Sequence, residues 1–150
     1  MTRATVFAAL SLLAAFACEK DEEQPLTTTE LLLARAWRIT AASARVNGRA
    51  ATDVLRPRAD CVKDNTYRFG NGNNVTVDEG VLKCATADAQ QTAGRWTLAD
   101  STLMVTAAAA TGNYNLAGVI RTINRTTLLL VTTQQADTVT TVTKTTFTAQ

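Results

Sequence analysis

The segment TYRFGNGNNVTV, residues 66–77, decides the fold because it has the pattern of a β-hairpin. Tyr67 and Phe69 alternate with polar residues before a Gly/Asn cluster, and Val75 and Val77 alternate in the same way after it. Alternation with a period of two is typical of a strand with one buried face. Gly and Asn tolerate the positive φ angles that tight turns require, so the cluster predicts the turn.

Similar segments continue on both sides of this hairpin. Upstream, Trp37, Ile39 and Ala41 alternate with Arg38, Thr40 and Ala42, which predicts a strand with the first three on its buried face. Residues 45–60 follow as a long connection. Further strands are predicted at residues 95–98, 103–105, 114–123, 127–133 and 138–148, the last rich in threonine, whose β-branched side chain favours strands. Seven or eight strands joined by short turns predict an antiparallel barrel or sandwich.

A short helix is expected before the first strand. Thr27 and Glu30 have the spacing of a capping box, in which each side chain binds a free backbone amide at the start of a helix. The leucines at 31–33 then provide an apolar face for about two helical turns.

The N-terminus has the organisation of a secretory signal. Arg3 precedes an uncharged, mostly apolar run at residues 4–17, which is too short to cross a bilayer as a helix because about 20 residues are needed. Residues 15–18, Ala-Phe-Ala-Cys, resemble the lipobox of bacterial lipoproteins. The resemblance implies cleavage before Cys18 and lipidation of its thiol. An ordinary signal peptide with a spare cysteine is the alternative.

This interpretation divides the chain into a signal peptide at 1–17, a lipidated, acidic flexible tether at 18–25 and a folded domain at 26–150. The charged run at 19–23 has no apolar residue and is expected to stay solvated. It also resembles the signal that exports some Gram-negative lipoproteins to the outer face. We therefore expect a bacterial envelope protein, anchored in the outer membrane through acylated Cys18 and either periplasmic or surface-exposed.

The remaining two cysteines are predicted to form a disulfide. With Cys18 lipidated, Cys61 and Cys84 remain in a protein exported to an oxidising compartment, which favours their pairing. A metal site is the alternative, but two thiolates need further ligands and the chain has no histidine. No metal and no cofactor are therefore expected.

Composition argues against two classes of function. Residues 26–150 carry 13 basic and nine acidic side chains, and this net charge of +4 is dispersed rather than clustered as nucleic-acid binding requires. The absence of histidine removes the usual base for a serine or cysteine nucleophile. Paired carboxylates such as Asp78 and Glu79 could act as acid and base, but adjacent residues of a strand point to opposite faces, and both are expected to be surface charges. We predict a protein that is not an enzyme.

The order of several motifs resembles the lipocalin-like domain of secreted bacterial lipoproteins. The motifs are Trp37-Arg38-Ile39-Thr40, residues 61–69 with the following turn and Cys84, residues 94–98 and 103–105, and residues 123–130. The resemblance implies an all-β, antiparallel up-and-down β-barrel of about eight strands with a short N-terminal helix. Six side chains are then expected to face the barrel interior or a ligand: Trp37, Ile39, Tyr67, Phe69, Trp96 and Tyr114.

Two functional hypotheses follow. In the first, the barrel binds a small lipophilic ligand in a cavity of roughly 300 Å³ or more. In the second, a plugged barrel acts as a structural or protein-interaction module of the envelope, and its partner binds an outer surface. The expected partners are thus the membrane, through Cys18, and a lipophilic ligand or an envelope protein.

Overall fold

A computed structural model of the protein describes residues 24–109 and 112–150. The predicted signal peptide, Cys18 and most of the predicted tether lie outside the described residues. None of the helices in the described part has the length and apolar character needed to cross a membrane.

The described chain consists mainly of β-strands. The helices are α1 (Thr28–Leu33) and α2 (Asp60–Lys63), and a short 3₁₀ turn covers Asn71–Asn73. The strands are β1 (Ala36–Val46), β2 (Thr52–Asp53), β3 (Thr66–Gly70), β4 (Asn74–Asp78), β5 (Gln91–Ala99), β6 (Thr102–Ala107), β7 (Leu116–Ile123), β8 (Thr127–Ala136) and β9 (Val139–Ala149).

Eight of these strands close into an antiparallel barrel. From β3 to β9 each strand pairs with the next in sequence, and β1 pairs with both β3 and β9, which leaves no open edge between the first and last strands. The two-residue β2 pairs with β1 beyond the point where β3 leaves it. The all-β, up-and-down barrel predicted from the sequence is therefore confirmed, and the sandwich alternative is excluded.

The hairpin at residues 66–77 forms as predicted. Tyr67 pairs with Val77 and Phe69 with Val75, and all four side chains are buried. The turn between them places Gly72 at φ 69° and Asn73 at φ 63°, in the left-handed region that Gly and Asn tolerate.

A β-bulge in β1 changes which alanine faces inward. The register of β1 against β9 shifts between Ile39 and Ala41, so that Ile39 pairs with Phe147 but Ala41 pairs with Thr146. One extra residue in a strand reverses the alternation beyond it. Ala42 consequently faces the interior with Thr145, and the prediction that Ala41 lies on the buried face is wrong.

The strand directions give the barrel two different ends. At the closed end lie α1, the chain terminus and the tight turns at 70–74, 99–102 and 123–127. At the open end lie the long connections at 46–66 and 78–91 and the described parts, 107–109 and 112–116, of a third. The cavity described below lies at the open end.

Helix α1 and a layer of large side chains fill the closed end. The capping box is present: the Glu30 carboxylate accepts from the Thr27 N–H at 2.7 Å, and the Thr27 hydroxyl accepts from the Glu30 N–H at 3.2 Å. Leu32 is fully buried, and its carbonyl accepts a hydrogen bond from the Trp37 indole at 3.1 Å. The predicted capping box and short helix are confirmed, and this helix packs its leucines against the base of the barrel.

The aromatic core lies directly above this helix. Phe69 and Trp96 pack edge to face with ring centroids 5.5 Å apart, and Tyr67 and Phe147 do so at 6.0 Å. Such contacts are favourable beyond the area that they bury. The closed half of the barrel is thus packed with side chains.

Candidate functional site: a loop-covered cavity

A cavity of about 430 Å³ occupies the open half of the barrel. Its wall is formed by inward-facing barrel residues, including Ile39, Ala42 and Tyr67, and by Leu116 at the start of β7. Three connections cover it: residues 46–66 contribute Val54, Leu55, Arg58 and Val62, residues 78–91 contribute Cys84 and Asp88, and residues 112–116 contribute Asn113, Tyr114 and Asn115. The barrel interior is therefore packed at one end and hollow at the other.

The predicted disulfide links two of the covering loops. Cys61 lies in α2 and Cys84 in the 78–91 connection, and their sulfur atoms are 2.06 Å apart. The prediction that these two cysteines pair is confirmed. A covalent bond at this point restricts how far the two loops can separate over the cavity.

Hydrogen bonds hold the same two loops together beside the disulfide. The Asp64 carboxylate accepts from the backbone N–H groups of Val81 at 2.9 Å and Leu82 at 2.8 Å. Gly80 permits this approach because a Cβ there would lie 2.7 Å from Asp64 atoms, and its φ of +69° suits glycine. The loop cover is thus fixed by backbone contacts as well as by the cystine.

The inner surface becomes polar towards the open end. On paired positions of β8 and β9, Leu128 lies opposite Phe147, then Leu130 opposite Thr145, then Thr132 opposite Thr143. Paired residues share one face of the sheet, and alternate residues along a strand return to that face. From the closed end to the open end, the inward-facing pairs of these two strands therefore change from apolar to hydroxyl-bearing side chains. A cavity lined in this way suits a guest with both apolar and polar parts.

A buried carboxylate lies behind the cavity wall. Glu79 is 1% exposed, and its Oε1 accepts a hydrogen bond from the Tyr114 hydroxyl, whereas its Oε2 has no hydrogen-bond partner. Asn65, 4% exposed and in the cavity wall, also has an amide oxygen without a partner. Buried acceptors without donors are costly, so each requires an explanation.

The prediction that Glu79 is a surface charge is wrong. Asp78 and Glu79 do point to opposite faces, but the alternation from Val75 and Val77 places Glu79 on the interior face. Asp78 faces outward, where its carboxylate accepts from the side-chain amides of Gln90 and Gln91 at 2.9 Å each. These bonds and one from the Gly80 N–H lower the pKa of Asp78, the bond from Gln91 most strongly.

Two tyrosine hydroxyls face the cavity in their neutral form. Burial raises the pKa of Tyr67 to about 12. Burial also raises the pKa of Tyr114, and the hydrogen bond to Glu79 and the negative charges of Glu79 and Asp88 raise it further. At neutral pH both groups can therefore donate and accept hydrogen bonds.

The six predicted interior residues divide into two groups. Trp37, Phe69 and Trp96 are buried in the closed-end core, and the Trp96 indole donates to the Gly70 carbonyl at 3.0 Å. Ile39, Tyr67 and Tyr114 line the cavity. The sequence reasoning missed the polar lining residues Arg58, Asn65 and Asp88 and the buried Glu79 behind the wall. Only Glu79 had a usable signal, namely its position two residues after Val77.

A second concave region lies on the outside of the barrel. It measures about 650 Å³ and runs between β1, β9 and the loop that carries β2. Arg56, Lys63 and Lys144 line it, with Asp53 as the one acid in its lining. The groove is open to solvent and predominantly basic.

The described residues offer no clustered metal ligands. Within residues 24–109 and 112–150, no three His, Cys, Asp or Glu side chains are arranged to hold a metal ion. In comparisons with known proteins, no family model, no curated protein and no solved structure matches the chain.

Proposed function

We propose that this protein is a membrane-anchored envelope lipoprotein whose barrel binds a small lipophilic molecule at its open end. The observation that carries the proposal is the 430 Å³ cavity in a barrel whose other half is packed. Ligand pockets for small molecules begin at about 300 Å³, and an eight-stranded barrel is wide enough to hold one small ligand.

The anchor proposed at Cys18 is compatible with a cavity accessible from solvent. Residues 24–26 lie beside Leu31 and the turn at 123–125, at the closed end of the barrel. The five residues between Cys18 and Gln24 give a tether that spans at most about 22 Å when extended. A barrel tethered in this way is attached at its closed end, and the cavity mouth lies at the opposite end of the barrel from the tether.

Native mass spectrometry of residues 24–150, which contain every described strand, tests the binding proposal. The protein is produced in an oxidising periplasm and then incubated with lipid extract. We expect a reproducible additional mass that organic solvent removes. A protein that is folded and oxidised but stays unliganded after incubation would contradict the proposal.

A matched pair of substitutions locates the ligand. Ala42 faces the cavity, whereas its neighbour Ala41 faces outward and is exposed. A42F fills part of the cavity and should abolish the additional mass, while A41F adds the same side chain outside the barrel and should retain it. Loss of the ligand in both variants, or in neither, would place the ligand elsewhere.

The basic outer groove supports a second candidate, a protein-interaction module that binds an acidic envelope partner. Lys63 and Lys144 would then carry the interaction through charge complementarity. A K63E/K144E variant should lose partners captured by crosslinking in the envelope while its cavity still binds lipid. Unchanged crosslinks would count against this candidate.

A further inference from the structure

Negative charge lies behind the cavity wall without a cation to balance it among the described residues. Glu79 is 1% exposed, and its carboxylate forms no ion pair with another residue of the described part of the chain. The nearby Lys83 ammonium donates to the backbone carbonyls of Thr86 and Asp88. A buried carboxylate that lacks a cation and is only half hydrogen-bonded can gain from a positively charged guest.

The cavity wall next to this carboxylate is rich in hydrogen-bond acceptors. Tyr114 donates its hydroxyl proton to Glu79, which leaves the lone pairs of that oxygen available to accept from a ligand. Asn65 and Asp88 line the same cavity and are each 4% exposed, and the Asn65 amide oxygen has no hydrogen-bond partner. An incoming group that donates two or three hydrogen bonds matches this set.

Among the described lining residues the one cationic side chain lies on the solvent side, while the half-buried Lys83 ammonium lies outside the lining, at the Asp88 carbonyl. Arg58 lines the mouth but is exposed, so water solvates its guanidinium. An anionic ligand that entered head first would bring its charge towards Glu79 and Asp88. The charge distribution, positive at the mouth and negative inside, therefore favours a cationic head group within the cavity.

We propose that the cavity selects lipophilic amines, and this inference rests on the proposed function. The ammonium group lies beside the Tyr114 hydroxyl, the Asn65 amide oxygen and the Asp88 carboxylate, with Glu79 supplying further negative charge behind Tyr114. The apolar body of the ligand packs against Ile39 and Leu116.

Three probes with one chain length test this selectivity: octylamine, octanol and octanoate, titrated by calorimetry at pH 7 into oxidised protein. Because charge-assisted hydrogen bonds are about twice as strong as neutral ones, octylamine should bind at least about tenfold tighter than octanol, with octanoate weakest. If octanol binds and octylamine binds equally or more weakly, the inferred selectivity for amines is wrong, whereas the proposed function stands. Failure of all three probes would overturn the proposed function with it.

Variants then assign the charge to the cavity residues. E79Q and D88N should each weaken octylamine at least about fivefold and leave octanol within about twofold, because each removes charge while keeping shape. The matched control is D100N, which removes a carboxylate from an exposed closed-end turn where φ is 53°, a conformation that Asn tolerates. It should leave both affinities unchanged.

A further variant covers the case in which E79Q does not fold. Y114F deletes the hydroxyl that links Glu79 to the cavity and leaves the net charge unchanged. It should lower the preference for octylamine over octanol by at least about threefold, since one hydrogen bond to a charged group is lost. An unchanged preference in Y114F and D88N would contradict the assignment of the ammonium site.

Discussion

Removal of the disulfide tests how the loops over the cavity are held. Cys61 and Cys84 are 23 positions apart, and for a loop of this length the chain-entropy estimate of stabilisation is about 3.4 kcal/mol. Cys84 is exposed and Cys61 half-buried, so replacing both by alanine removes little packed surface and the loss of cross-linking should dominate. The C61A/C84A variant should therefore be about 3 kcal/mol less stable than the oxidised protein.

Thermal and urea unfolding measure this loss directly. For a domain of about 125 residues, 1 kcal/mol corresponds to roughly 4 °C in Tm, so the expected decrease is roughly 12 °C. The oxidised protein should lose the same amount when a reductant is added, whereas the variant should not respond to the reductant. This difference separates the effect of the bond from that of the alanines.

A decrease of less than about 3 °C would refute the reasoning. One explanation would be that the contacts of Asp64 with Val81 and Leu82 persist in the unfolded ensemble and restrict the two loops there without the disulfide. The other would be that the reduced cysteines stay in contact. Hydrogen exchange adds a local criterion, because protection should fall at residues 46–66 and 78–91 and persist in β8 and β9.

Three further predictions concern single residues. Burial raises the pKa of Tyr67 from 10.0 to about 12, so the stability that its neutral form provides is present below pH 10 and is lost as the pH rises towards 12. The free energy of unfolding of the wild-type protein should therefore fall in this window, and Y67F should lack this part of the pH dependence in alkaline denaturation curves. G94A should destabilise the barrel by about 1–3 kcal/mol in urea unfolding, because a Cβ at Gly94 would overlap the Thr106 carbonyl oxygen and Ala107. G70A is the comparison for the glycine effect alone, because Gly70 has φ −126° and a Cβ there would lie 3.5 Å from the Asn74 carbonyl oxygen, an ordinary contact. C18S in the full chain should abolish labelling by an alkyne fatty acid and release the protein from the envelope membrane fraction; continued labelling would contradict acylation at Cys18.

The sequence predicted the barrel because its signals are local. The alternation in residues 66–77 and the Gly/Asn turn specify a hairpin without help from the rest of the chain. The later hairpins are equally local, with Asp100 and Asp137 at φ 53° and 51° in their turns. Antiparallel neighbours joined by short turns then leave little choice of strand order.

The open end could not be predicted in the same way. Residues 43–46 continue β1 only because they pair with residues 141–144 of β9, and small residues such as Ala44 have weak strand propensity of their own. The short β2 and α2 depend on contacts with β1 and on the disulfide. The cavity itself results from which inward positions carry small side chains, and the bulge after Ile39 decides that one of them is Ala42.

The distribution of polar groups inside the barrel argues that its open end is built for binding. The closed end shows that this chain can fill a barrel with Trp37, Phe69 and Leu128. At the open end it instead buries Asn65 and Glu79, each with an acceptor that has no donor, at a cost of about 1–3 kcal/mol per group. Total stabilities are only about 5–15 kcal/mol, and such departures from good packing are expected at functional sites. A ligand that donates to these atoms would recover that cost, so the same residues that lower the stability of the empty barrel should raise its affinity for an amine.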